Sequence, residues 1–169
     1  MEFPADALPP SEAFDGAGVY TLHYTGAFPA YAAIGPDVPI YVGKADPPGR
    51  RQGRTQASTP VLHRRLQEHA ESIDAASNLD LPDFRCRWLV LDPVWVGLTE
   101  QVLLTQYQPL WNVVVDGFGN HDPGAGRRNQ RRSRWDTVHP GREWAYNLRD
   151  RGETADDVVT AIETLRERR

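Results

Sequence analysis

Two short segments decide the fold of this chain of 169 residues, Gly18-Val19-Tyr20 and Tyr41-Val42-Gly43-Lys44. Each sets a tyrosine beside a glycine in a run of residues that favours β-structure. A glycine in a strand lets another backbone or a ligand approach closely, and a tyrosine hydroxyl can pass a proton. We therefore expect two neighbouring strands that form one wall of a site.

The flanking sequence predicts further strands and helices around this pair. β-branched and aromatic residues predict strands at residues 19–24, 40–42 and 84–91. Apolar residues at helical spacing predict three helices. The first starts at Pro60, and the last covers residues 154–168. The second covers residues 98–107, with Val102, Leu103 and Tyr107 inward. Residues 111–115 are expected to be extended, residues 27–39 to form an excursion between strands, and residues 1–16 to form an arm.

The composition is that of one soluble domain. The chain has 40% hydrophobic and 25% charged residues, and its length is ample for a single core. It shows neither a membrane-spanning run nor a signal peptide, which makes a cytoplasmic location the default expectation. Cys86 is the only cysteine, which excludes an internal disulfide and a multi-cysteine zinc site.

The charged residues are unevenly distributed along the chain, so the net charge does not describe each region. A net charge of −4 and a pI near 5.7 would argue against a nucleic-acid partner. However, basic residues cluster in two predicted loops, near residues 44–54 and 127–134. A local basic patch sets the field that a phosphate backbone meets, so DNA remains a plausible partner.

Seven polar residues carry the chemistry that phosphodiester hydrolysis requires, namely an activated water, a counter-charge and a place for a metal. They are Tyr20, Tyr41, Lys44, Arg65, His69, Glu100 and Asn112. Each one alone has an ordinary structural explanation: a core tyrosine, a solvated helix face, an acidic residue early in a helix or a turn-forming asparagine. Only their order along the chain indicates that they belong to one site.

That order resembles the GIY-YIG nuclease superfamily. The resemblance implies an α+β fold with a small central antiparallel sheet flanked by helices, and a catalytic core over about residues 17–115. Val19 and Val42 depart from the motif that names the superfamily, but both are small apolar exchanges that leave the tyrosines in place.

Further segments resemble the small type II restriction endonucleases of this superfamily that cut the palindrome CCGCGG. They are Arg65-x-x-x-His69, Asn78-Leu79-Asp80-Leu81, Phe84-Arg85-Cys86-Arg87, the loop from Asp116 to Gly124 and His139-Pro140-Gly141-Arg142. By this resemblance Tyr20 and Tyr41 flank the reacting phosphate, with Tyr20 the proton acceptor, helped by Lys44. Arg65 and His69 bind or polarise the phosphate, Glu100 holds Mg²⁺, which Mn²⁺ can replace, and Asn112 supports the site.

The resemblance also implies the partners. Double-stranded DNA is the substrate, a homodimer supplies two active sites, and a DNA methyltransferase protects the same sequence without forming a complex. Residues 116–169 are expected to be an extension of the single domain for DNA binding and dimerisation. Residues 27–39, the N-terminal arm and the C-terminal helix are candidate dimer elements. The candidate DNA-binding residues are Arg50, Arg51, Arg54, Arg85, Arg87, Asn120, His121, Arg127, Arg128, Arg131, Arg132 and Arg142.

Several alternatives remain open at this point. The same core also occurs in nucleases of repair or homing, and a DNA-binding module without activity would keep the motif residues as core. Tyr20 is either the base itself or a relay to another base, because the usual tyrosine pKa of about 10 leaves little phenolate at neutral pH. The patterns do not separate arginines that read bases from those that neutralise phosphates.

Overall fold

The structure is a computed structural model that describes residues 5–47, 59–124, 126 and 129–167. Its centre is a four-stranded sheet in the order β1-β4-β2-β3, in which every pairing is antiparallel. The strands are β1 (Asp6–Ala7), β2 (Ala17–Tyr24), β3 (Tyr41–Ala45) and β4 (Phe84–Leu91). Helices flank this sheet, which confirms the predicted α+β class.

Five α-helices occur within the described ranges. They are α1 (Val61–Asp74), α2 (Pro93–Tyr107), α3 (Leu110–Val113), α4 (Arg134–Val138) and α5 (Ala155–Glu167). Short 3₁₀ turns lie at Pro29–Tyr31, Leu81–Asp83 and Glu143–Asn147. None of the helices in these ranges has the length and apolar character needed to cross a membrane.

The two faces of the sheet pack against different helices. Leu22 of β2 lies in the main hydrophobic core with Leu62 of α1, whereas Val19 packs against Val96 of α2 on the opposite face. Successive side chains of a strand point to opposite faces, so β2 is buried on both sides. This explains why β2 is apolar along most of its length instead of alternating.

Glycine permits close packing in β2, as the sequence predicts. A Cβ on Gly18 would overlap the backbone carbonyl of Leu89 on the neighbouring strand β4. A side chain at this position would force β2 and β4 apart. The first motif glycine therefore serves the pairing of the sheet.

Two predictions about the middle of the chain are wrong. Helix α2 begins at Pro93, five residues before its predicted start, because Asp92 caps it by accepting a hydrogen bond from the Val94 amide at 2.9 Å. Val102 is exposed, and Val96 is the buried residue of this helix. Residues 111–115 are not a strand: Leu110–Val113 form α3, whose burial of Trp111 overrides the β-propensity of the valines that follow.

The three segments named as candidate dimer elements help to build the main hydrophobic core. Leu8 of the predicted arm, Tyr31 of the predicted excursion, and Val158 and Ile162 of α5 all lie in it. The N-terminal segment also supplies β1, which pairs with β4. These three segments, expected to be dimer elements, therefore cover this core with their apolar residues.

The C-terminal extension docks on the end of α1. His139 donates a hydrogen bond from Nδ1 to the Asn78 side-chain oxygen at 2.9 Å, and its Nε2 lies 2.5 Å from the Tyr31 hydroxyl. A Cβ on Gly141 would overlap the carbonyl of Ala75, just after α1. Two of the segments that carry the closer family resemblance thus meet each other in the fold.

Burial of His139 predicts a loss of stability in acid. Burial lowers its pKa to about 3, whereas a histidine in an unfolded chain has a pKa of about 6.5. Below that value the unfolded chain binds a proton that the folded protein does not, so the stabilisation is complete above about pH 6.5 and is lost as the pH falls. We expect His139 alone to reduce the free energy of unfolding by about 2 kcal/mol between pH 7 and pH 5.

Urea unfolding at a series of pH values measures this effect. The pKa values of His23 and His69 are also lowered by burial, so they add to the loss in the same direction. A His139→Gln variant should show a shallower dependence on pH, because glutamine does not titrate. The same steepness in both proteins would contradict the assignment to His139.

Candidate active site

Tyr20 and Tyr41 lie side by side on the face of the sheet that packs against α1. Their ring centroids are 6.2 Å apart. Tyr20 pairs with Gly43 in the antiparallel register, and a Cβ on Gly43 would overlap the Tyr20 hydroxyl. The second motif glycine therefore creates the space in which that hydroxyl sits.

His69 lies directly behind Tyr20. Its Nε2 is 2.5 Å from the Tyr20 hydroxyl, and its side chain is only 1% exposed. Burial, followed by the nearby charge of Arg65, lowers the pKa of His69 well below its usual value. The imidazole is therefore neutral and has a ring nitrogen that can accept the Tyr20 proton. The sequence assigns His69 to the phosphate, but a ring buried behind Tyr20 is in no position to reach one.

Burial also controls the ionisation of both tyrosines. It raises the pKa of Tyr20 well above its ordinary value and raises that of Tyr41 as well. Arg65 acts in the opposite direction on both hydroxyls, but burial is the larger effect. Each phenol therefore keeps its proton in this structure.

Arg65 stands one helical turn before His69 on α1, at the mouth of the site. Its Nη2 donates to the Gly119 carbonyl at 3.0 Å and its Nη1 donates to Glu68 at 2.9 Å. Nη1 also contacts the ring of His121, which is largely exposed. The guanidinium is thus held beside the two tyrosines while its side chain keeps 20% of its surface open to solvent.

Glu100 reaches the site from the other face of the sheet. Lys44 pairs with Val19 in the register, so its side chain points toward α2, where its ammonium lies 2.7 Å from the Glu100 carboxylate. After burial, the charge of Glu100 also contributes to the raised pKa of Tyr41, so the carboxylate acts on that hydroxyl. The site therefore wraps around β3, with groups from both faces.

Asn112 completes the edge of β3. Its side-chain oxygen accepts from the Val42 amide, and its side-chain nitrogen donates to the Val42 carbonyl, both at 2.9 Å. The Trp111 amide donates to the Ile40 carbonyl at 2.9 Å, one step further along. An amide side chain carries both a donor and an acceptor, so Asn112 replaces a missing neighbouring strand.

The loop after α3 touches three of the predicted site residues. Phe118 stacks on His69 with centroids 4.5 Å apart and meets Tyr41 edge to face at 5.0 Å. A Cβ on Gly119 would lie 2.8 Å from the Tyr41 hydroxyl. Sequence reasoning missed this contribution, because a loop some fifty residues from α1 carries no local sign of where it packs.

Arg142 is not a surface residue that DNA can reach. Its side chain is 3% exposed, and its Nε donates to Asp136 at 2.7 Å. The guanidinium also lies over the rings of Trp135 and Trp144, at 4.5 and 4.7 Å from their centroids. The prediction that Arg142 contacts DNA is therefore wrong, because its side chain is buried and bonded inside the protein.

The remaining candidate DNA contacts fall into two sets. Those that lie outside the described residues are Arg50, Arg51, Arg54, Arg127 and Arg128. Those that the structure describes are Arg85, Arg87, Asn120, His121, Arg131 and Arg132.

Most of the described arginines already have partners in the protein. Arg85 donates to the carbonyls of Pro82 and Phe84, Arg87 pairs with Asp37, and Arg132 pairs with Asp150. Their side chains are half-buried, and that of Arg131 is exposed.

A cleft opens beside the tyrosine pair. It has a volume of about 360 Å³. Lys44, Arg64, Arg65 and His121 line it together with the carboxylates of Asp46 and Glu68. Arg64 is exposed and is not among the predicted site residues, although it directly precedes Arg65. Three cationic side chains face two carboxylates here, so the cleft has a small excess of positive charge in a chain of net charge −4.

The sheet and the order in which these residues reach it define the class of the protein, a GIY-YIG nuclease domain that acts on DNA. The family described as the Eco29kI GIY-YIG domain, a restriction endonuclease family, matches residues 12–165, and the chain belongs to that family. The match includes most of the C-terminal extension as well as the catalytic core. No curated protein matches the sequence.

Proposed function

We propose that the protein is a type II restriction endonuclease. It hydrolyses one phosphodiester bond in each strand of double-stranded DNA at a short G·C-rich palindrome, CCGCGG, with Mg²⁺ as the cofactor and Mn²⁺ as a possible substitute. A DNA methyltransferase of the same system protects the host site. The observation that carries the proposal is the meeting of Tyr20, Arg65 and Glu100 around one edge strand.

The tyrosine and histidine move the proton in the proposed reaction. A water molecule attacks the phosphorus as the bond between the phosphorus and the leaving sugar oxygen breaks, and that oxygen takes a proton from solvent water. The attacking water gives its proton to the Tyr20 hydroxyl, which passes its own proton to His69 Nε2 along the hydrogen bond of 2.5 Å. This relay suits the raised pKa of Tyr20 and the lowered pKa of His69, because neither group needs to be charged beforehand. Of the two roles left open for Tyr20, the structure favours the relay.

Arg65 stabilises the charge that develops on the phosphate. Its guanidinium lies close enough to Tyr20 and Tyr41 to act on the pKa of both, so a phosphate held at the tyrosines would also meet Arg65. The basic cleft that includes Arg64 and His121 leads to this point. Asn112 acts indirectly by fixing the backbone of β3.

Glu100 is the residue that would hold Mg²⁺. The described residues contain no group of three or more His, Cys, Asp or Glu side chains arranged to bind a metal. A single carboxylate still fits, since Mg²⁺ keeps several waters and binds proteins through one or two carboxylates. Glu100 already holds a cation, the ammonium of Lys44. When bound, the metal supplies positive charge to the scissile phosphate.

The relay predicts a large effect of removing one hydroxyl. Tyr20→Phe keeps the ring but removes the proton path, so we expect the single-turnover cleavage rate to fall by roughly 10²- to 10⁴-fold. Tyr31→Phe is a matched control, because Tyr31 is also buried and also lies 2.5 Å from a histidine Nε2, that of His139. Quenched-flow cleavage of a CCGCGG duplex measures both rates, and equal rates in the two variants would contradict the relay.

The metal assignment predicts that cutting and binding separate in Glu100→Gln. In a plasmid digest with Mg²⁺ we expect the unmodified protein to give a defined fragment ladder with ends at CCGCGG. The variant should not cleave the plasmid. In an electrophoretic mobility-shift assay it should bind a CCGCGG duplex as the unmodified protein does, because it loses the metal ligand and keeps the cationic side chains of the cleft. Glu71→Gln changes an exposed carboxylate elsewhere and should cut normally. Full activity of Glu100→Gln would refute the assignment, and binding without cutting by the unmodified protein would refute the nuclease.

A palindromic target requires two active sites related by a two-fold axis, so the proposal includes a homodimer. Helix α2 offers the surface. Four of its apolar residues at helical spacing are more than half exposed: Val94, Trp95, Leu98 and Val102. A helix that is apolar on all sides is normally covered on all sides, so this stripe indicates a partner.

A second copy of the chain is the partner that fits this stripe. The four side chains carry no charge, so two copies of the stripe can meet around a two-fold axis without electrostatic repulsion. Outside the described residues, large apolar side chains occur only at Met1 and Phe3. Residues 1–4, 48–58, 125, 127–128 and 168–169 of this sequence therefore offer little apolar surface with which to cover the helix.

Light scattering after size-exclusion chromatography tests the dimer. We expect twice the chain mass of 19.0 kDa for the unmodified protein and a shift to monomer for Leu98→Glu, which places a charge in the stripe. Thr160→Glu, at an exposed position of α5, should remain dimeric. A monomer both alone and on DNA would exclude the two-fold assembly, and a dimeric Leu98→Glu would exclude α2 as its interface.

A further inference from the structure

The loop Gly117 to Asn120 forms a roof over the candidate active site. Phe118 covers the ring of His69, and the Gly119 carbonyl accepts a hydrogen bond from Arg65 at 3.0 Å. The loop thus contacts both of the α1 residues that the proposed reaction uses. Its shape decides where the Arg65 guanidinium points and what surrounds His69.

One buried side chain holds this loop in shape. Arg142 donates to the carbonyls of Gly117, Phe118 and Asn120, at 3.0, 2.9 and 3.1 Å. The Gly117 carbonyl also accepts from the Asn120 amide at 3.1 Å, which closes the turn, and Arg142 adds the donors that tie all three carbonyls to one side chain. A guanidinium has five donors in a rigid plane, so one side chain can serve all three and still bind Asp136.

Arg142 is itself fixed on its remaining sides. Asp136 accepts from Arg142 through one oxygen and from the Ser133 hydroxyl, at 2.6 Å, through the other. Trp135 and Trp144 hold the guanidinium over their rings. These residues all belong to the C-terminal extension, outside the core that contains the tyrosines.

We propose that Arg142 is a positioning residue for hydrolysis, because it holds the loop Gly117–Asn120 in the shape that sets Arg65 and His69 in place. The extension thereby acts on the chemistry of the core without touching the substrate. The cleavage readout rests on the proposed nuclease function, whereas the structural readout described below does not.

Arg142→Lys and Gly119→Ala test the proposal from two directions. The lysine keeps a charge for Asp136 but has no planar fork for the three carbonyls. The alanine leaves every Arg142 contact in place and sets a methyl group 2.8 Å from the Tyr41 hydroxyl and 3.2 Å from Arg65 Nη2. Gly152→Ala is the matched control, because a Cβ there meets nothing within 4 Å.

Cleavage of a CCGCGG duplex under single-turnover conditions gives the first readout. We expect the rate constant to fall at least tenfold in both variants, since a displacement of about 1 Å can cost 10²-fold, while the dissociation constant for the duplex stays within threefold. Gly152→Ala should match the unmodified protein. Equal losses of binding and rate, or no loss of rate, would overturn the positioning role.

The NMR signals of the His69 ring give the second readout. The stacked Phe118 ring shifts them upfield in the unmodified protein, and a folded Arg142→Lys variant should lose that shift because the loop moves away. An unchanged shift in that variant would overturn the proposal, whatever the cleavage data show. If Arg142→Lys does not fold, Trp144→Leu decides, because it removes one of the two rings that lie over the Arg142 guanidinium and leaves the loop sequence intact. An unchanged cleavage rate and an unchanged His69 shift in that variant would overturn the proposal. If the unmodified protein cuts no DNA, the proposed function is refuted. The NMR shift of His69 still tests whether Arg142 holds the loop Gly117–Asn120 in place.

Discussion

The buried hydrogen bond between Tyr20 and His69 joins the sheet to α1, and much of the structure is arranged around it. Gly43 leaves room for the hydroxyl, and Phe118 covers the imidazole from the other side. Burial then keeps both partners neutral, because a charge in this position would lose its water without an opposite charge to replace it. Before the reaction, therefore, Tyr20 keeps a proton to donate and His69 keeps a ring nitrogen without one.

The site lies at an edge of the sheet, and that position explains its composition. An edge strand has side chains on two faces, so β3 can bring the tyrosine pair and α1 together with Lys44 and the Glu100 carboxylate of α2. Its free backbone edge would be a place for unwanted strand pairing, which Asn112 prevents by pairing with Val42. An asparagine that looks like a turn former in the sequence thus protects the strand that carries the chemistry.

Local patterns predicted the three strands around the site, because propensity and glycine spacing act over a few residues. They also predicted that Arg65 and His69 share a helix face, but not that His69 would be buried, since depth depends on a loop some fifty residues away. Three consecutive valines favoured a strand where the packing of Trp111 produced a helix. Because Arg142 follows a proline and a glycine, the sequence predicts an exposed loop residue. Its side chain is buried because it bonds to Asp136 and to the carbonyl of Phe118, which the sequence does not place beside it.

The placement of Arg142 in the extension has a consequence for engineering. The family match covers core and extension together. The extension supplies the loop that covers the site as well as two exposed arginines, Arg131 and Arg149. A chimera that exchanged residues 116–169 for a segment with another target preference would also exchange the support of Arg65. In the proposed endonuclease the exchange would therefore alter the rate of cleavage as well as the target, and new specificities are better sought by changing exposed side chains one at a time.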